Sequence, residues 1–297
     1  MSDVLDKEVA ENTPETEEVR GQCALCDDED VALRESHSIP KFVYQWVKDT
    51  AKTPYMRCSL DVNVRHQDGP KEYLLCGVCE LNLAILEKEL AEKLFRKIAN
   101  YRQQKSVLTI TESMRVAVLS IFWRALLTTK KLNNERTAED DIKLDEFLAN
   151  AKADIVAEKC HEKIYFSPFV GEPPYYGLPK EVIYSLERSV GGQDMRFFDD
   201  PHRFFATFKL PFMYFHIFSE GWSADEISLS TELVAGDLNV EQITDIPNIL
   251  RNYIAYLYKQ FQQSRSQMTE ANLEQIRRDV EKNRDRTGSD KSMERSS

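Results

Sequence analysis

Residues 74–86, "LLCGVCELNLAIL", run from an apolar stretch through a C-x2-C pair straight into a helical pattern. A C-x2-C turn holds both sulfurs on one side of a tight loop. A helix starting at once fixes that loop to a helix N-terminus. A second pair of the same spacing lies upstream, "CALC" at residues 23–26. Two such pairs supply four thiolates, the complement of a tetrahedral structural zinc site. Cys23, Cys26, Cys76 and Cys79 are therefore assigned to structural zinc. A redox dithiol is disfavoured, because two pairs are present and neither lies in a βαβ pattern. Cys58 and Cys160 stand alone and are read as ordinary small residues.

The helix continues outward as "ELNLAILEKELAEKLFRKIANYRQQ". Leu83, Leu86, Leu90, Leu94 and Ile98 recur every three to four residues, an amphipathic stripe. "TESMRVAVLSIFWRALLTT" follows, with Thr111 as its N-cap, and is apolar on most sides, the pattern of a helix central to a core. Its Arg124 needs a partner if buried. "AEDDIKLDEFLANAKADIVAEK" reads as a third, more exposed helix. Farther on, "MRFFDD", "HRFFATFKL" and "FMYFHIFSEGW" suit strands of a small sheet, with His216 inside an aromatic core. "PKEVIYSLERSV" and "ITDIPNILRNYIAYLYKQFQQ" read as helices; Ile246, Leu250, Ile254 and Leu257 form the second one's stripe. The fold class expected is α+β: a zinc domain, then a mostly helical domain with a small β-sheet. The expected divisions are an acidic disordered tail (1–20), the zinc domain (21–90), a helical α+β domain (91–265) and a frayed polar tail (266–297).

The chain has 297 residues and a net charge of −11. That charge excludes a globally basic nucleic-acid coat, but a local basic groove needs only a few Lys and Arg. No apolar run approaches the ~18 residues of a membrane helix, so no membrane partner is expected. The N-terminus lacks the apolar core of a signal peptide, and the expected compartment is the cytoplasm, where cysteines stay reduced.

Between the cysteine pairs lies "ESHSIPKF", residues 35–42, within an insertion long for a simple zinc ribbon. "CALC", then "SHSIP", then "LLCGVCE" at a helix start resembles the zinc-knuckle HNH endonucleases. That fold is a treble-clef, or ββα-metal, unit, and the resemblance covers about residues 21–90. "LRESHSIPKFVYQWVKDT", "QDGPKEYLLCGVCE" and "LSIFWRALLT" are further similar to a group of bacterial HNH-like proteins of comparable length.

The resemblance implies a metal-dependent nuclease cutting DNA phosphodiester bonds, with magnesium or manganese as catalytic cation. His37 takes the general-base position. Ser36 stands where such enzymes place an Asp or His ligand, and a neutral hydroxyl is a weak ligand for a hard dication. Glu80 stands at the helix position of the usual His or Asn, with Glu87 two turns on. Glu80 is read either as a metal ligand or as an acid favoured at a helix N-terminus. The pattern's central asparagine has no clear counterpart; Asn63, Gln67 and Asp68 all precede the second cysteine pair. Gln67 either holds the His37 ring or simply forms the "QDGP" turn. His66 is read as a surface histidine. Arg57, Arg65 and Lys71 are the candidate phosphate contacts. For His37 itself, a structural role beside the zinc and zinc ligation stand as alternatives to catalysis.

Two functions follow. One is an HNH-like nuclease, in bacterial defence or a mobile element, with a homodimer or a partner protein left open. The other is a catalytically degenerate, zinc-stapled module that binds nucleic acid or protein.

Overall fold

A computed structural model describes residues 18–132 and 135–297. The expected acidic tail thus lies, up to residue 17, outside the described residues. Its expected end at residue 20 does not hold, because Arg20 already pairs in a strand.

The first unit begins with β1 (Arg20–Gly21) and β2 (Val31–His37), paired antiparallel. Then come α1 (Lys41–Asp49), the short pair β3 (Met56–Arg57) and β4 (Arg65–His66), and β5 (Lys71–Cys76). β5 pairs antiparallel with β2, matching His37 with Lys71, Ser36 with Glu72 and Leu33 with Cys76, with a register shift between Arg34 and Glu35. α2 (Gly77–Glu89) leaves β5 directly, continues as a π-helical stretch (Leu90–Phe95) and ends as α3 (Arg96–Ile98). Residues 38–70 therefore fold as an insertion within a β2–β5 hairpin that is capped by a helix. α1 buries Val43, Tyr44 and Val47. The stripe Leu83, Leu86, Leu90, Leu94 and Ile98 is buried throughout, as its spacing requires.

The second part opens with β6 (Val107–Ile110), α4 (Glu112–Leu132), α5 (Ala138–Ala157) and β7 (Ile164–Pro168). It continues through α6 (Ile183–Arg188), β8 (Gly191–Phe198), β9 (Arg203–Leu210), β10 (Met213–Phe218), α7 (Ala224–Ile227), β11 (Gly236–Asn239) and α8 (Asn248–Ser266). The main sheet is antiparallel, in the order β7-β10-β9-β8, and β11 pairs with β6. Successive side chains of a strand point to opposite faces. Phe204, Ala206 and Phe208 join the core around α4, while Phe205 and Tyr214 join a second cluster with α6 and α8. A sheet covered on both faces explains why its strands read as unbroken apolar runs. α4 is central, buried from Val116 to Leu126, and its Phe122 ring meets Phe208 at 4.7 Å. Thr111 caps its start, accepting from Met114 N at 3.3 Å. His216 is fully buried, stacked on Tyr165.

The main core runs without a break from Cys23 to Val240, so the expected boundary near residue 90 is not a break in packing. Residues 266–297 also depart from expectation. They form α9 (Glu270–Lys282) and α10 (Gly288–Arg295), both docked. Ser292 is buried and donates to Glu187 at 2.7 Å, and Arg295 donates to the same carboxylate at 3.1 Å. Tyr55 donates to Asp279 of α9 at 2.8 Å. Hydrogen bonds anchor both helices, and α9 adds only a short half-buried stripe of Leu273, Ile276 and Val280, so the segment's polar composition suggested fraying.

Candidate metal centre and the His37 site

The Cys23 and Cys26 sulfurs sit on the turn between β1 and β2. Cys76 ends β5 and Cys79 lies in the first turn of α2. The four ligand sulfurs all lie within 4.8 Å of one another and could hold a metal ion; among the described residues they are the one such group of His, Cys, Asp and Glu. Cys26 Sγ and Cys76 Sγ are 3.9 Å apart. The protein by itself shifts Cys23 toward thiolate, whereas burial raises Cys26 to about 11 and pushes Cys79 up as well. Burial pushes Cys23 up, but amides of Cys26, Cys76 and Leu25, with the Cys26 thiol, outweigh it and bring Cys23 down to about 7. The Cys76 N–H to Cys23 Sγ distance of 3.3 Å is one of these contacts. Cys160 is buried away from the cluster, and burial raises it to about 12.

β2 carries the next residues outward. Ser36 is 1% exposed, and its hydroxyl donates to Glu80 Oε1 across the hairpin–helix junction. The two are 44 positions apart in the chain. Ser36 and Glu80 are thus brought together. Glu87 is not part of that pair. Its Oε1 accepts from Arg124 Nη2 at 2.5 Å, an ion pair with the Arg124 side chain 2% exposed. Arg124 also donates to the His37 carbonyl (2.8 Å) and the Ser120 carbonyl (3.2 Å). The partner that Arg124 requires is therefore Glu87, and this engagement removes Glu87 from the expected cation ligands.

His37 ends β2, its side chain 11% exposed. Its Nε2 lies 2.9 Å from Asp68 Oδ1, close but not aligned as an N–H···O bond. The Tyr44 ring backs the imidazole, with centroids 5.7 Å apart. Burial opposes ionisation of Asp68, but the Gly69 amide, His37 and Lys71 outweigh it and hold its carboxyl below the usual range. Gly69 is required here: a Cβ would stand 2.0 Å from Tyr44 Cζ.

Gln67 does not hold the ring. Its side chain is exposed, its carbonyl accepts from Lys48 at 2.5 Å, and the next residue, Asp68, reaches His37 instead. Asn63 caps the far end of the chain, accepting from Thr269 N at 2.9 Å. Arg57 is tied to the Val62 carbonyl (2.5 Å) and Asn272 (2.8 Å), so it serves as a tether to α9 rather than a free phosphate contact. Lys71 lies between Glu35 (3.3 Å) and Asp68 (3.4 Å), which raise its pKa. Arg65 remains exposed, over the Tyr55 ring. Asp68 and the Arg124 clamp were the contributors that sequence reasoning did not assign. The only signals were the acid beside Gln67 and a lone arginine in an apolar helix.

No protein-family model, curated protein or solved structure matches this chain. Among the described residues, no helix is long and apolar enough to cross a membrane.

Proposed function

We propose that the β2–β5 hairpin and α2 form a zinc-stapled, HNH-like nuclease centre that cuts DNA phosphodiester bonds. For the staple, a tetrahedron with Zn–S bonds of ~2.3 Å has S···S edges of about 3.8 Å, and Cys26 Sγ and Cys76 Sγ lie 3.9 Å apart. The observation that carries the nuclease reading is the meeting of Ser36 with Glu80 one residue from His37. One carboxylate and one neutral oxygen fit magnesium or manganese, which keep water ligands and use substrate phosphate oxygens, rather than an all-protein cage. Ser36 and Glu80 would hold that cation, whose chemistry is to offset charge on the scissile phosphate and the leaving oxygen. His37 would take a proton from the attacking water, its ring held between Asp68 and Tyr44.

The second reading, a degenerate binding module, is favoured by one specific observation. The Ser36 hydroxyl is buried and already spent on Glu80, and Glu87 is spent on Arg124. Plasmid nicking with magnesium or manganese separates the two. The nuclease reading expects cleavage by the zinc-loaded wild type, and its loss in His37→Ala and Glu80→Gln proteins that keep one zinc per chain. Cleavage that survives both substitutions sinks the assigned site. A wild type inert with either metal supports the binding module.

A further inference from the structure

A cleft of about 430 Å³ opens at the far end of α1 from His37. Three distant segments build it. Arg96 and Arg102 come from α3 and the loop after it, Arg286 and Lys291 from the C-terminal segment, and Asp49 from α1. Four cations thus face one carboxylate, in a chain whose net charge is −11. These cations are not neutralised in place. The Arg96 and Arg102 side chains make no hydrogen bond or ion pair among the described residues and are exposed. Among the described residues, the Arg286 side chain donates only to the carbonyls of Lys48 (3.0 Å) and Ala51 (3.4 Å), and that of Lys291 only to the carbonyl of Tyr101 (3.3 Å). Asp49 already accepts from Gln45 at 2.7 Å.

The floor holds a further cation, Arg188, with the buried Glu187 carboxylate behind it, joined to Tyr101 through Ser292 and paired with Arg295. Trp46 and Tyr101 stack at 5.8 Å, and buried Arg188 lies 5.0 Å over Trp46. Arg188 donates to Thr50 Oγ1 (2.5 Å), Tyr101 Oη (3.2 Å) and the Val47 carbonyl (2.7 Å), all neutral. α10 begins at the cleft with Gly288, where a Cβ would meet the Thr50 carbonyl at 2.7 Å, so its backbone closes tightly on α1. Like charges held together at a cleft repel one another, and a bound anion relieves that. Arginine forks from two sides, plus a lysine, suit a tetrahedral oxyanion that accepts from several directions.

We infer that this cleft binds the phosphate of a phosphate ester, with Arg96 and Arg102 as its free ligands. The inference does not depend on the nuclease reading, because it concerns a surface at the opposite end of α1. The phosphate could belong to a nucleic-acid strand or to a free nucleotide, and the probes separate these sources.

The test uses the full-length, zinc-loaded protein at low salt. Binding of a fluorescein-labelled single-stranded 20-mer is followed by anisotropy, and binding of AMP and inorganic phosphate by calorimetry. The Arg96→Ala/Arg102→Ala double variant is expected to bind the tightest probe at least tenfold more weakly, with an unchanged thermal transition. For the strand, its log–log salt slope should fall by about 1.4, two contacts at about 0.7 each. A Lys163→Ala/Lys259→Ala control removes the same charge from exposed positions outside the cleft and should change affinity less than twofold. Strand binding that inorganic phosphate cannot displace identifies a phosphodiester backbone; displacement by AMP or phosphate identifies a terminal phosphate. The inference is overturned if no probe binds at millimolar concentration, or if the lysine control weakens binding as much as the arginine double. A protein that binds through this cleft yet never nicks DNA keeps the site and loses only the nuclease reading.

Discussion

Arg124→Met removes the guanidinium that joins α4 to the end of β2 while keeping most of the side-chain stem. The residue is 2% exposed. The change removes the side-chain donor to the His37 carbonyl and the second donor to the Ser120 carbonyl, and leaves the Glu87 carboxylate, whose side chain is 17% exposed, without its cation. Removing one partner of a buried ion pair costs about 3–5 kcal/mol, because the other charge is left uncompensated. Glu87 is not fully buried, so the lower end, about 3 kcal/mol, is expected. With roughly 2–4 °C per kcal/mol for a chain of this size, the transition should fall by about 6–12 °C. Glu87→Gln leaves an oxygen acceptor and should cost about 1–2 kcal/mol. The double Arg124→Met/Glu87→Met variant replaces both partners with apolar groups and should recover much of the loss. Urea unfolding of the zinc-loaded proteins gives the cycle, with zinc content measured alongside to show that the staple is intact. A cost below ~1 kcal/mol for Arg124→Met, or strictly additive effects in the double, refutes the clamp.

Chelation should remove the metal and strongly lower the cooperative transition of the protein, since a structural zinc supplies folding energy on the order of 10 kcal/mol; faster amide exchange in residues 23–37 and 71–89 is the readout, and a chelated protein with its full transition contradicts the staple. Gly69→Val should cost about 1–3 kcal/mol by overpacking, because its Cβ would collide with Tyr44; an unperturbed melting curve refutes that close approach. His216 predicts acid sensitivity: burial holds its folded pKa down at about 3, against an ordinary 6.5. The unfolded chain therefore takes the proton first, so this contribution is complete above pH ~6.5 and is lost as pH falls toward 3, at about 1.4 kcal/mol per pH unit for one proton. His216→Phe should flatten the stability profile between pH 6.5 and 4, and an unchanged slope excludes His216 as its source.

The sequence alone carried everything set by short-range spacing. Two C-x2-C pairs sufficed to predict that four sulfurs meet, because a knuckle is a local turn and only their pairing is long-range. The stripe from Leu83 to Ile98 and the apolar run of α4 marked buried helices, because helical period and burial are tied by geometry alone. Arg124 announced that it needed a partner, since a buried cation cannot go unpaired. Which partner it takes was decided only by folding, when α4 crosses α2 beside Glu87. The same holds for Asp68: whether it or Gln67 faces His37 depends on how residues 38–70 turn back onto β2, a one-residue difference that no periodicity encodes. The docking of α9 and α10 was hidden because much of it rests on hydrogen bonds donated by Ser292 and Arg295 and accepted by Asp279, which no spacing marks. The cationic cleft was hidden for a similar reason. Its charges come from chain positions almost two hundred residues apart, and only tertiary packing brings Arg96 and Arg102 beside Arg286 and Lys291, where their repulsion becomes a binding field.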